Sequence, residues 1–314
     1  MRKGKVKSSK GIVALLLAFL TILNSIVPNV TTVYAATSAS SYITKMNSAL
    51  KKVKSYHISQ TMSTDMSLSM VVGQEKQTQA TKMKQTLSQT VVNKPLLQAK
   101  SIVKNTTISD GKKQSETSKV YLKQQKNGSI SVYEFSNGSK TPSKSVIHKK
   151  LVNSILNTID TNMLVNAKII KDNVEVNGIN TVEVSAQITG KEIDKLIKDM
   201  LKISGDLSKE ELKEANNAFD FSKVKPITCT YYINKKTYLP VKCIGDVSDF
   251  VESFYEVMLN MMFNEKISIS ENEIPSIDEI PSIEMKVTCK KASMTMTYSD
   301  YNKTKSIKYP KSCK

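Results

Sequence analysis

The sequence has one arginine, Arg2, no tryptophan, two histidines, four cysteines and only 6% aromatic residues. Each scarcity removes a class of function. Arginine's planar fork is the usual means of gripping a phosphate or a guanine in two places, so a basic chain without it is poorly equipped to read nucleic acid. His57 and His148 stand apart from each other, and no H-E-x-x-H, G-x-S-x-G, phosphate-loop or dinucleotide pattern occurs. Ser48-Ala49-Leu50-Lys51 matches the S-x-x-K nucleophile spacing, but its S-D-N and K-T-G companions are missing, and a chain rich in serine and lysine meets that spacing by chance. The absence of any C-x-x-C pair argues against zinc. The acids are scattered. A non-catalytic protein without metal or cofactor is expected.

Lysine is plentiful. The first ten residues hold Arg2, Lys3, Lys5, Lys7 and Lys10 and no acid, an apolar run follows from Ile12 to Val27, and Val33-Tyr34-Ala35 precedes Ala36. This is the layout of a secretory signal peptide over residues 1–35, cut after about Ala35. Asn24 and Pro28 interrupt the run before it could serve comfortably as an anchor, and no cysteine follows it for lipid attachment. Cleavage would leave 279 of the 314 residues, expected as one domain over 36–314. Five bases and no acid would leave with the leader, so the net charge would fall from +18 to +13. A secreted or wall-associated protein is expected, with a charge suited to anionic partners such as wall polymers or lipid head groups.

The stretch Tyr56–Met70 organises the rest. Its even positions are Tyr56, Ile58, Gln60, Met62, Thr64, Met66, Leu68 and Met70, and its odd positions are polar. Strand side chains alternate between faces, so this is a long strand with one wet face and one methionine-bearing apolar face. An amphipathic helix precedes it, with Ile43, Met46, Leu50 and Val53 on one stripe. Turn signals at Gly73–Lys76, Asn93-Lys94-Pro95, Asp110-Gly111 and Asn127-Gly128 divide residues 55–136 into about five antiparallel strands. Beyond Asn137-Gly138 the spacing predicts a second helix (Val146, Ile147, Leu151, Ile155, Leu156, Ile159), a hairpin through Asn177-Gly178, a third helix (Ile193, Leu196, Ile197, Met200, Leu201) and a short helix capped at Ser208. A further hairpin spans Ile227–Ile233 and Thr237–Ile244.

An insertion is expected at about 246–284. Its helix, Phe250–Phe263, is too apolar to stand uncovered, and the tandem hexapeptide Glu273–Asp278 and Glu279–Glu284 has a proline in each copy, which makes it an extended loop. The chain ends through Met294, Met296 and Tyr298 in strict alternation. Cys229, Cys243, Cys289 and Cys313 are an even set in an exported chain, so disulfides are expected. Cys229 and Cys243 flank a hairpin turning near Asn234-Lys235-Lys236, which favours the pairings Cys229–Cys243 and Cys289–Cys313.

The start Met46-Asn-Ser-Ala-Leu-Lys-Lys-Val-Lys-Ser-Tyr56, the strand–turn–strand from Tyr231 to Lys242 and the end Tyr298–Asn302 with Ile307–Pro310 resemble the LolA/LppX-like group, above all its secreted Gram-positive domains of unknown function. The resemblance implies an α+β fold: a curved antiparallel sheet, or half-barrel, with helices on its concave face and an apolar cavity between. Tyr56, Ile58, Met62, Met66, Leu68 and Met70, with Phe250, Phe254, Met258, Met261, Met294, Met296 and Tyr298, are the expected cavity residues. The helix Phe250–Phe263 would be its cover. The expected ligand is a lipid or other apolar molecule. A different outcome, a filled core in a basic wall-associated protein, is the alternative.

Overall fold

Paired positive φ angles mark three of the tight turns: Asp110-Gly111 (49° and 73°), Asn137-Gly138 (45° and 78°) and Asn177-Gly178 (52° and 74°). Asparagine, aspartate and glycine tolerate this left-handed region, and its twist suits antiparallel hairpins. These turns join strands at the places where the dipeptides occur in the sequence. The computed structural model describes residues 38–72, 75–147, 149, 164–195, 198, 221–267 and 283–313. The predicted leader, most of the second and third predicted helices, the cap at Ser208 and the hexapeptide loop up to residue 282 fall outside them, while Ile283 and Glu284, the last residues of that expected loop, begin the final strand.

The strands are β1 (Ser55–Val72), β2 (Glu75–Val92), β3 (Gln98–Ser109), β4 (Lys112–Gln124), β5 (Ile130–Ser136), β6 (Ser143–Ile147), β7 (Val165–Val176), β8 (Ile179–Ile188), β9 (Ile227–Asn234), β10 (Pro240–Asp246) and β11 (Ile283–Ser299). They form one open antiparallel sheet in the order β6-β5-β4-β3-β2-β1-β11-β10-β9-β8-β7. The chain starts at the middle, walks to one edge and returns from the other, so β1 and β11 lie side by side. Such a sheet is consistent with a half-barrel. Val146 and Ile147 end strand β6 instead of opening a helix, because Ser143–Ile147 completes a ladder with β5.

Register defines two faces. The inner face carries Tyr56, Ile58, Val91, Ala99, Val182, Val184, Cys229, Tyr231, Ile233, Cys243, Met294, Met296 and Tyr298, all in one buried cluster. Helix α1 (Ser38–Lys52) adds Ala39, Ile43, Met46 and Leu50 to it, and helix α2 (Ser248–Ile267) adds Phe250, Val251 and Phe254. The outer face has a smaller cluster of Val92, Tyr121, Tyr133 and Phe135, covered by Ile307, Tyr309 and Cys313. The stretch 300–313, which forms no strand, is tied down there: Tyr309 Oη donates to the Leu122 carbonyl at 2.7 Å, and the Ile307 N–H donates to Gln98 Oε1 at 2.9 Å.

Gly190 opens a helical turn over 190–195, held by the Thr189 carbonyl accepting from the Ile193 N–H. A methyl group on Gly190 would meet the carbonyl oxygens of Val224, Phe221 and Ser222, the last two at 2.6 and 2.9 Å. Backbone atoms cannot swing aside as a side chain can. Gly190→Ala should therefore cost at least about 1–3 kcal/mol, seen as a lower urea midpoint at unchanged slope.

Candidate functional site

Strand β10 stops pairing with β11 at the Asp246–Ser293 position, while β11 runs on beside β1. Beyond that point one side of β11 would be an open edge, and α2 covers its start. Asp246 Oδ1 accepts from the Ser248 N–H (3.0 Å) and hydroxyl (2.7 Å), which starts the helix and holds the Asp246 carboxyl below its usual range. Ser248 Oγ accepts the Ala292 N–H at 2.7 Å, and Glu252 Oε2 accepts the Cys289 N–H at 2.8 Å. Between those two amides lies a register shift of β11, where Asp65 faces Lys291 and Met66 faces Cys289. The bulge keeps Val287 and Cys289 on the same buried side as Ala292, Met294 and Met296 although their parity differs. Two helix side chains thus satisfy strand amides and fix α2 over the inner face.

Between α2 and the inner face of β1–β5 lies a cavity of about 610 Å³. Its apolar side is made by Val247, Phe250, Val251, Phe254 and Tyr255 from the α2 segment, with Met62 and Met294 below. The opposite wall is polar. Cross-strand pairing lines up Met62, Gln85, Asn105 and Glu116 in one row and Thr64, Met83, Thr107 and Gln114 in the next. Gln85 Nε2 donates to Asn105 Oδ1 at 2.9 Å, and Glu134 and Ser136 extend the wall. Gln60, between Ile58 and Met62 on the same face, is buried with neither amide atom hydrogen-bonded.

The structure thus brings Met62, Phe250, Phe254 and Met294 together at the cavity. Tyr56, Ile58, Met296 and Tyr298 lie on the same face but deeper, as packed core outside the cavity lining. Met66, Leu68 and Met70 are half-buried further along β1 and do not line it either. Met258 and Met261 lie on α2, with side chains outside the described residues. The polar wall was not anticipated.

All four cysteines are free, buried thiols, so neither expected disulfide is formed. The loop between β9 and β10 is longer than the expected turn, and a bulge at Pro240/Lys242 places Cys243 opposite Tyr231 and Cys229 opposite Gly245. The two thiols are diagonal neighbours instead of partners. A hydrogen bond with Cys229 and then burial push the Cys243 thiol well up. Cys289 belongs to the inner cluster and Cys313 to the outer one, with the sheet between them. Burial also pushes Tyr56 up to about 12 and raises Tyr231 and Tyr298. Among the described residues no group of His, Cys, Asp and Glu could hold a metal, and no helix is long and apolar enough to cross a membrane.

The fold and the site are thus an open antiparallel sheet with a cavity on one face under α2. Residues 38–283 match the family described as "Family of unknown function (DUF6612)", and the chain belongs to that family. No curated protein matches the chain. Among solved structures it is similar to the Mycobacterium tuberculosis lipoprotein LppX (12% identity, 85% of this chain and 97% of that one, TM-score 0.37). It is also similar to LprF from Mycobacterium bovis (11% identity, 87% and 96%, TM-score 0.39). A putative outer membrane lipoprotein-sorting protein domain from Vibrio parahaemolyticus matches at 10% identity over 76% and 83%, with a TM-score of 0.12. The LolA/LppX-like resemblance of the sequence is met again among these structures.

Proposed function

We propose that this is an exported, non-catalytic protein that binds an amphipathic, lipid-like molecule at the cell envelope. The observation that carries the reading is the cavity between α2 and the inner face, whose volume of about 610 Å³ suits a sizeable ligand. Its aromatic and methionine side would take the apolar part, and adaptable methionines tolerate chains of different shape. The amides and hydroxyls of the opposite wall would hold a polar head. In this reading α2 is the cover that excludes water from the apolar part.

The test is native mass spectrometry of protein purified from its own host, followed by solvent extraction and uptake of a fluorescent fatty acid. A bound lipid-like mass and uptake by the emptied protein are expected. Met62→Trp should narrow the apolar side of the cavity and weaken uptake at least about tenfold, or about 1.4 kcal/mol. A protein that is isolated empty and takes up no probe would sink the proposal.

A further inference from the structure

The two faces of β2–β4 differ in charge as well as in burial. On the outer face these strands present Lys82, Lys84, Lys100, Lys104, Lys113 and Lys119 and no acid at all. Glu116 points to the inner side, in register with Asn105 and Gln85. Next door, β1 offers the outer face one acid, Asp65, already 3.5 Å from Lys82. Around the lysines stand hydroxyls: Ser63, Thr86, Thr106, Ser115 and Thr117, with Thr106 and Ser115 hydrogen-bonded at 3.1 Å.

Three of the lysines form a line. Lys84 faces Thr106, two residues from Lys104 on β3, and Lys104 faces Thr117, two residues from Lys119 on β4. Each step crosses one strand and moves two residues in the same direction, which spaces the charges by about 7–8 Å. All three are exposed, and none has a carboxylate partner among the described residues.

We infer that this outer face is a second binding surface, for a linear phosphodiester polymer lying along the Lys84–Lys104–Lys119 diagonal. Lysine is a compact point charge that meets a phosphate without demanding planar, two-point geometry. Hydroxyls beside it supply hydrogen bonds to phosphate and sugar or polyol oxygens. A row of separate charges on a flat strand face matches repeated charges along one extended chain. Nothing there reads bases, since the face has no arginine and its tyrosines Tyr121 and Tyr133 lie in the cluster under the C-terminal stretch. A bilayer fits less well: a membrane against the outer face would lie on the opposite side of the sheet from the cavity, and the outer side of β2–β4 presents no exposed aromatic group among the described residues.

The experiment uses the chain without its expected leader, with lipid-free poly(glycerol phosphate), phosphatidylglycerol vesicles and duplex DNA as parallel probes. Binding to the polymer is expected at low salt, falling with a log–log salt slope of about 2–3, as three neutralised phosphates require. Lys84→Glu, Lys104→Glu and Lys119→Glu together should weaken it at least about tenfold, and the double variant Lys104→Glu with Lys119→Glu, which spares the cavity-lining Lys84, should weaken it in part and leave fatty-acid uptake unchanged. The same reversal at Lys168, Lys171 and Lys191, exposed elsewhere, should weaken it much less. Equal loss in both triple variants would reduce the effect to net charge and overturn the site. Binding to vesicles or DNA but not to the polymer, or to none of the three, would overturn it as well.

Discussion

Phe221→Ala should lower stability by about 3–5 kcal/mol, the usual range when a buried phenylalanine is cut to alanine and its cavity stays open. Phe221 has no exposed surface, and its ring stacks on Phe254 with centroids 5.5 Å apart and planes 19° from parallel. Phe254 in turn touches Phe250 and Tyr255, at centroid distances of 5.8 and 6.0 Å, and three of these four rings line the cavity. The surroundings cannot collapse easily, because the Phe221 N–H is held by Asp194 Oδ1 at 3.1 Å and its carbonyl lies against Gly190. Denaturant unfolding followed by circular dichroism would show the midpoint falling at unchanged slope. Phe221→Leu should recover most of the loss, since it restores volume without stacking. The comparison separates bulk from ring contact. If the alanine variant loses less than about 1 kcal/mol, Phe221 does not buttress the cavity wall.

The same stack shows why the site was only partly legible in the sequence. Met62 and Met294 could be assigned to an inner face from alternation alone, and Phe250 and Phe254 from a helix too apolar to stand uncovered. Each assignment used a local pattern. Phe221 comes from another part of the chain and carries no periodic signal, so only tertiary packing reveals it. The polar wall is a different case. In the register that β1, β2, β3 and β4 adopt, Met62, Gln85, Asn105 and Glu116 fall opposite one another, and turn signals at Gly73–Lys76, Asn93-Lys94-Pro95 and Asp110-Gly111 stand in the sequence close to the places that set it. The row was hidden because a search for apolar cavity residues passes over glutamine and asparagine. The Cys229–Cys243 expectation failed for the reverse reason: it relied on a turn position, and the longer loop together with a one-residue bulge near Pro240 puts Cys243 opposite Tyr231, two residues from Cys229. Likewise the bulge in β11 reverses the parity of Val287 and Cys289 relative to Met294, which no period-two reading can cross.

Raising the pH should unfold this protein cooperatively from about pH 10 upward, with tyrosine ionisation following the unfolding. Burial pushes the Tyr56 hydroxyl up to about 12 from an ordinary value near 10, and raises Tyr231, Tyr298 and Tyr301 in the same direction. A phenol raised in the folded state keeps its proton where the unfolded chain has lost it. Its contribution is therefore complete below pH 10 and drains away as pH climbs from 10 through the folded value. For Tyr56 alone the two-unit difference amounts to about 3 kcal/mol beyond pH 12. Tyr56, Tyr231 and Tyr298 stand on one inner face, Tyr231 opposite Cys243, and the Cys243 thiol, also raised, adds a load of the same sign. Absorbance at 295 nm and far-ultraviolet circular dichroism, recorded together, should show one transition for these residues after a gradual rise from exposed tyrosines. Tyr56→Phe removes only the ionisable hydroxyl, so it should move the alkaline midpoint upward while leaving stability at pH 7 within about 1 kcal/mol. If ionisation instead finishes smoothly below pH 11 with the dichroism intact, these hydroxyls reach water and the inner face is not dry. The cavity reading depends on that dryness, because water under α2 would remove the advantage of placing an apolar chain there.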